Sequence, residues 1–198
     1  MSRISILAGG CLLLCLASSS YGQIVLDFHD PSPAGPDAGT AGETLETGAP
    51  FSVSGLTVTA TPSGTSLSGD GLLANADSFG VDSSNFTGFT DVPEHIQFDG
   101  AEILSLNFDQ MVEILQIDLS ALVGSEAARV SAGSFSVDLF TGVSGFNGTT
   151  DIYTPATPIE IAPGTPLVFQ ATAPGGAFGL EALTLNIVTV PEPGTASL

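Results

Sequence analysis

From Ile24 onward the chain alternates apolar and polar positions in short runs, and nearly every run has a period of two. Leu104, Leu106 and Phe108 alternate with Ser105 and Asn107, and Leu115, Ile117 and Leu119 with Gln116 and Asp118. Phe135, Val137 and Leu139 alternate with Ser136 and Asp138, and Leu183, Leu185 and Ile187 with Thr184 and Asn186. A period of two puts like residues on one face of a strand, so each run predicts a strand with one buried face. Ile24 to Phe28, then Phe51 and Val53, then Leu56, Val58 and Ala60, and later Leu167, Phe169 and Ala171 extend the set. No window keeps an apolar stripe at helical spacing over three turns. About ten one-faced strands predict two antiparallel sheets packed face to face. The expected architecture is all-β, an antiparallel, jelly-roll-like β-sandwich over residues 23–189. A β-helix is the rival, but the chain shows no fixed internal repeat to support it.

Turn residues set the joints. The 24 Gly and 13 Pro are spread between the apolar runs, as many short turns require. Asp99-Gly100 predicts a tight hairpin between Ile96-Gln97-Phe98 and the run from Leu104, because Asp-Gly supplies positive φ angles. Asp109-Gln110 turns the chain again toward Leu115. Residues from Asp30 to Pro50, rich in Pro, Gly, Ala and acids, read as a loop. Gly80 to Thr90 reads as irregular, with Phe79, Phe86 and Phe89 as anchors. Ser125 to Val130 alone suits a short helical turn. Pro155 and Pro158 restrict Ile152-Tyr153 to a sheet edge.

Composition excludes a disordered chain. Hydrophobic residues reach 43%, with 12 Phe, and charged residues only 12%, whereas disorder needs low hydrophobicity.

The start of the chain carries an export pattern. Met1-Ser2-Arg3 is a short positive segment, Ile4 to Ala17 an apolar core, and Ser20 and Gly22 the small residues at −3 and −1 of a cut. Residues 1–22 therefore read as a secretory signal peptide cleaved between Gly22 and Gln23, with a core too short for a stable membrane span. A lipoprotein reading would use Ala8-Gly9-Gly10-Cys11, but the apolar core before Cys11 is too short. Cys11 and Cys15 leave with the leader, so the exported chain forms no disulfide. Its 176 residues (198 − 22) are enough to bury a core without one.

The other end reads Val190-Pro191-Glu192-Pro193-Gly194-Thr195. This stretch, directly after the last strand-like run, resembles the recognition core of the PEP-CTERM sorting signal. The resemblance implies a secreted bacterial protein whose C-terminus is handed to a membrane processing enzyme, an exosortase. In that family an apolar helix and an Arg cluster follow the motif. Here only Gly194 to Leu198 follow, so the exported chain as written has no transmembrane segment and is expected to be soluble and released. The stretch from Glu94 to Ser120 is also similar to segments of extracellular domains in that family. The implied location is secreted or at the cell surface of a Gram-negative-type bacterium.

Charge narrows the partners. The chain carries 21 Asp and Glu against Arg3 and Arg129, with no Lys. All the acids lie beyond residue 22, so the exported charge is −20 (1 − 21). Such a surface is repelled by nucleic acid and by anionic membranes, and it attracts cations, divalent ones above all. Calcium suits it through hard carboxylate and carbonyl oxygens, though no Asp-x-Asp-x-Asp-Gly loop is present. Gly175-Gly176-Ala177-Phe178-Gly179 is only faintly like a calcium-binding glycine repeat. Asp99 and Glu102 could share an ion, while Glu94 lies too far from the Asp99-Gly100 turn to join them. No metal ligand set follows from these spacings.

Candidate catalysis is sparse. Without Cys or Lys beyond the leader, thiol nucleophiles, Schiff bases and thiolate metal sites are excluded. His29 reads as a strand-end residue beside Asp30, and His95 as a surface residue. Neither a Gly-x-Ser-x-Gly elbow nor a His-Glu-x-x-His helix is present. Paired acids could cleave a glycoside, but 21 acids single out no pair. The chain has no Trp, and its two Tyr are Tyr21 in the leader and Tyr153, which leaves few platforms for sugars. Asn85-Phe86-Thr87 and Asn147-Gly148-Thr149 match the glycosylation sequon and read as incidental. The expectation is a non-enzymatic, cofactor-free, acidic envelope or extracellular-matrix protein, with extracellular polysaccharide or divalent cations as partners. A carbohydrate-binding module or an uncharacterised secreted hydrolase is the alternative.

Overall fold

A computed structural model describes residues 22–28, 40–64, 67, 71–74, 78–82, 95–99, 101–122, 127–140, 142–174 and 176–188. The chain is an all-β antiparallel sandwich. One sheet is built on β8 (Val112–Ser120) and β15 (Ala177–Ile187). On the far side of β8 lie β12 (Ile152–Tyr153), with β11 (Phe146–Asn147) outside it, and β13 (Ile159–Ile161). The far side of β15 is covered in turn by β6 (Ile96–Gln97), β5 (Phe79–Gly80) with β4 (Leu73–Ala74), and β1 (Ile24–Asp27). The second sheet has the order β10-β9-β14-β7-β3-β2, from β10 (Phe135–Leu139), β9 (Ala128–Ala132) and β14 (Leu167–Ala171) to β7 (Ile103–Phe108), β3 (Leu56–Ser63) and β2 (Phe51–Val53). The chain crosses between the sheets from β1 to β2, β3 to β4, β6 to β7, β7 to β8, β8 to β9, β10 to β11, β13 to β14 and β14 to β15, as in a jelly roll.

The inward residues of both sheets form one cluster. Leu104, Leu106, Leu167 and Phe169 from one sheet and Ile117, Leu183, Leu185 and Leu26 from the other are fully buried. Ser54 and Gly55 both have positive φ, 52° and 85°, which fits the two-residue turn joining β2 to β3.

Several expectations need correction. The segment from Asp30 to Pro50 contains a helix, α1 (Ala41–Glu46). It buries Ala41 and Leu45, and Gly48 at φ 73° ends it. A Cβ on Gly42 would stand 2.1 Å from the Phe28 carbonyl oxygen, so only glycine allows α1 this close to β1. The helix touches β1 and β4 of one sheet and β2 of the other, closing that side of the sandwich.

The turn after Phe98 does not make a hairpin. β6 pairs with Ala177 and Phe178 of β15, whereas both edges of β7 are taken by β3 and β14. The turn therefore carries the chain from one sheet to the other. Ala128 to Val130 are strand, not a helical turn, because β14 supplies a ladder partner for each. The β12 strand is not an edge either. It lies between β11 and β8, and Pro155 and Pro158 fall where the chain leaves β8 at Ile117 and rejoins it at Ile114 as β13.

One strand breaks phase. Leu115 has no partner on β15 between the pairs Gln116↔Thr184 and Ile114↔Leu185. This β-bulge turns Ile114 inward and leaves Leu115 half-buried.

Candidate functional site

The candidate acids scatter across the fold. Glu102 is fully buried, and its Oε2 accepts the Gln97 N–H at 2.6 Å. The Glu102 N–H donates to the Gln97 carbonyl at 3.1 Å, so residue 102 closes the 98–101 turn from both sides. This is a structural task, because a buried carboxylate needs donors and here takes a backbone one. Asp99 lies in the same turn and Glu94 lies outside the described residues. Among the described residues no group of three or more His, Cys, Asp or Glu stands close enough to hold a metal ion.

Sheet register does bring acids together elsewhere. Glu113 on β8 is the direct partner of Glu160 on β13, and Asn186 on β15 is the partner of Glu113 on its other side. Two like charges thus oppose each other on the outer face, which opposes that pairing. Nearby, the Gln116 Nε2 donates to Asp118 Oδ1 at 2.7 Å.

Arg129, the one Lys or Arg side chain beyond residue 22, is paired. Its Nε donates to Asp138 Oδ1 at 2.7 Å and its Nη2 to Asp138 Oδ2 at 2.9 Å. The hydrogen bond and the adjacent guanidinium charge lower the Asp138 pKa, and the same contact raises that of Arg129. The β9–β10 register places the two residues opposite each other. Gly133-Ser134, midway between them, is the sequence signal that could have revealed the pair.

Tyr153 faces inward and is 7% exposed, so its ring is no platform for a sugar; burial raises its pKa. His95 is half-buried, and its carbonyl accepts the Val81 N–H at 3.1 Å. His29 lies outside the described residues. In the glycine-rich segment, Gly179 is a packing residue. A Cβ there would stand 2.3 Å from both Cβ and Oγ of Ser78 and 2.7 Å from Ser120 Oγ. Ser120 Oγ is buried with no hydrogen-bond partner. Of the two sequons, Asn147-Gly148-Thr149 forms an exposed turn in which Asn147 Oδ1 accepts the Thr149 N–H at 3.1 Å. The other lies outside the described residues.

The two stretches that the sequence leads one to expect to be processed flank the sandwich in the chain. Gly22 and Gln23 are exposed just before β1. Val190, Pro191, Glu192, Pro193, Gly194 and Thr195 lie outside the described residues and follow β15 closely. The pair Ile24↔Leu185 brings the start of β1 beside the end of β15. Among the described residues no helix is long and apolar enough to cross a membrane. The chain matches no protein-family profile, no curated protein and no solved structure.

Proposed function

We propose that this chain is a secreted, non-enzymatic, acidic β-sandwich of the bacterial cell envelope or extracellular matrix, addressed by its PEP-CTERM-like tail. The observation that carries the reading is the sequence Val190 to Thr195 placed directly after the last strand. The export pattern of residues 1–22 supports it independently. The Ile24↔Leu185 register supports it geometrically, since leader and tail leave the sandwich from the same end. Export cleavage and tail processing then act at one pole, and the body of the domain extends away from the membrane. An exosortase-type enzyme is the processing partner if the full tail, with an apolar helix and an Arg cluster, follows the motif. A formal charge of −19 for the whole chain favours divalent cations, calcium among them, as bridges to acidic extracellular polysaccharide.

The test is expression of residues 1–198 in a Gram-negative host, followed by fractionation and N-terminal sequencing. Recovery in the medium or envelope with Gln23 as the first residue is the expected result. Intact Met1 in the cytoplasm, or a lipid-modified Cys11, overturns it.

A further inference from the structure

We propose that the outer edge of β10 is a self-association site, at which two copies of this chain pair β10 to β10 in antiparallel fashion about a two-fold axis. The lateral openings of the sandwich are unequal. α1 spans the side where β2 and β4 end the two sheets. The opposite side ends in β10 and β11, which are joined by residues 140–145 and have no covering helix among the described residues. No described strand pairs with the outer edge of β10.

The hairpin geometry shows which backbone groups that edge offers. Gly133 has a φ of 57° and opens a two-residue turn, with Ala132 opposite Phe135. Ala132 and Phe135 are then a hydrogen-bonded pair, as are Val130 and Val137, and the pairs between them are not. The N–H and C=O groups of Ser136 and Asp138 therefore point away from β9. Among the described residues, three of the usual protections of an edge are missing: Lys, Pro and a bulge. Residues 127–150 contain no Lys and no Pro, and β10 and β9 pair without a bulge.

Charge selects a second copy as the occupant. In a chain of formal charge −19, the 24 residues from Ala127 to Thr150 hold one acid and one base, Asp138 and Arg129, and these two are bonded to each other. Two highly acidic molecules meet least repulsion where each presents this neutral strip. The strip is also apolar. Phe135, Val137, Val143 and Phe146 are only half-buried, and Phe140 is 46% exposed. Around the axis, Ser136 faces Asp138 of the other copy and Val137 meets Val137. Each Ser136–Asp138 pair exchanges both backbone hydrogen bonds, and the two Asp138 carboxylates avoid direct opposition.

Sedimentation equilibrium of the chain lacking residues 1–22 tests this. Dimer is expected at protein concentrations up to about 0.1 mM, and it strengthens as NaCl rises because salt screens the net repulsion. Ser136→Pro removes an outward N–H that β9 does not use, and Phe140→Glu adds charge at an exposed position. Both are expected to be monomeric with unchanged far-UV spectra. Ser52→Pro on β2 is expected to dimerise like the parent. A parent that stays monomeric at every salt concentration overturns the proposal. So does a dimer that survives both Ser136→Pro and Phe140→Glu, or one that Ser52→Pro abolishes equally.

Discussion

Gly179→Ala tests the close approach of β15 to Ser78, the residue just before β5, and to Ser120 of β8. Gly179 sits in β15 opposite Ser120 of β8, one residue before Leu180, the partner of Phe79. Its φ is not positive, so its backbone conformation is open to any residue and the requirement for glycine is steric alone. An added methyl would overlap Cβ and Oγ of Ser78 at 2.3 Å and Ser120 Oγ at 2.7 Å. Ser78 is fully buried and cannot swing into solvent, so β15 must shift away from β5 or β8. Overpacking of this kind costs about 3 kcal/mol, the upper part of its usual range. For a chain of this length that lowers Tm by roughly 6–12 °C. The assay is thermal and urea unfolding of Gly179→Ala, Ser78→Gly and the double variant. Removing the Ser78 side chain makes room for the methyl, so the double variant loses less than the sum of the singles, with a coupling of about 1–2 kcal/mol. A Gly179→Ala protein as stable as the parent, or strictly additive losses, refutes the steric account.

Three further outcomes are expected. Glu160→Lys replaces the repulsion with Glu113 by attraction and raises stability by about 0.5–1 kcal/mol in urea titrations, and this gain shrinks in high salt; Glu160→Gln gives a smaller gain, and no gain from either means the carboxylates do not sense each other. Tyr153 is the one tyrosine beyond residue 22, so ultraviolet titration of the chain lacking residues 1–22 follows it alone. Burial raises its folded pKa above the unfolded value, so its contribution is complete below about pH 10 and is lost as pH rises through the folded pKa; a titration at the ordinary tyrosine value with the fold intact contradicts the burial. Calcium raises Tm more than NaCl of equal ionic strength, and added chelator reverses the difference; equal shifts reduce the effect of the acidic charge to plain screening.

The period-two runs marked the strands because each strand has one wet face and one dry face. Leu104, Leu106 and Phe108, like Leu167, Phe169 and Ala171, alternate in the sequence as they do in burial. The failures share a cause, which is that partners are chosen by tertiary contacts. At Leu115 a bulge breaks the alternation, and β15, far along the chain, is the strand it is defined against. At Phe98 to Ala101 a turn forms, but the strands on either side of it belong to different sheets because β3 and β14 already occupy both edges of β7. The α1 helix escaped notice because six residues carry too little periodicity to register. Its fit depends on Gly42 meeting the Phe28 carbonyl, a contact with no local signature.

Charge was legible as a total and opaque as a pattern. The sequence names Arg129 as the one fixed cation beyond residue 22 but leaves its partner open among 21 acids. The β9–β10 register makes that choice, setting Asp138 opposite Arg129. Register likewise sets Glu113 against Glu160, where attraction between side chains plays no part and the hydrophobic pairs Ile159↔Ile114 and Ile161↔Val112 on either side must hold the strands together. All four of those flanking residues are buried. Burial of their side chains contributes roughly 1.5–3 kcal/mol each, well above the fraction of a kcal/mol that opposed surface charges oppose. Core packing therefore decides where the charges fall in this domain. The neutral strip beside β10 and the doubly acidic row on the opposite sheet are both consequences of it.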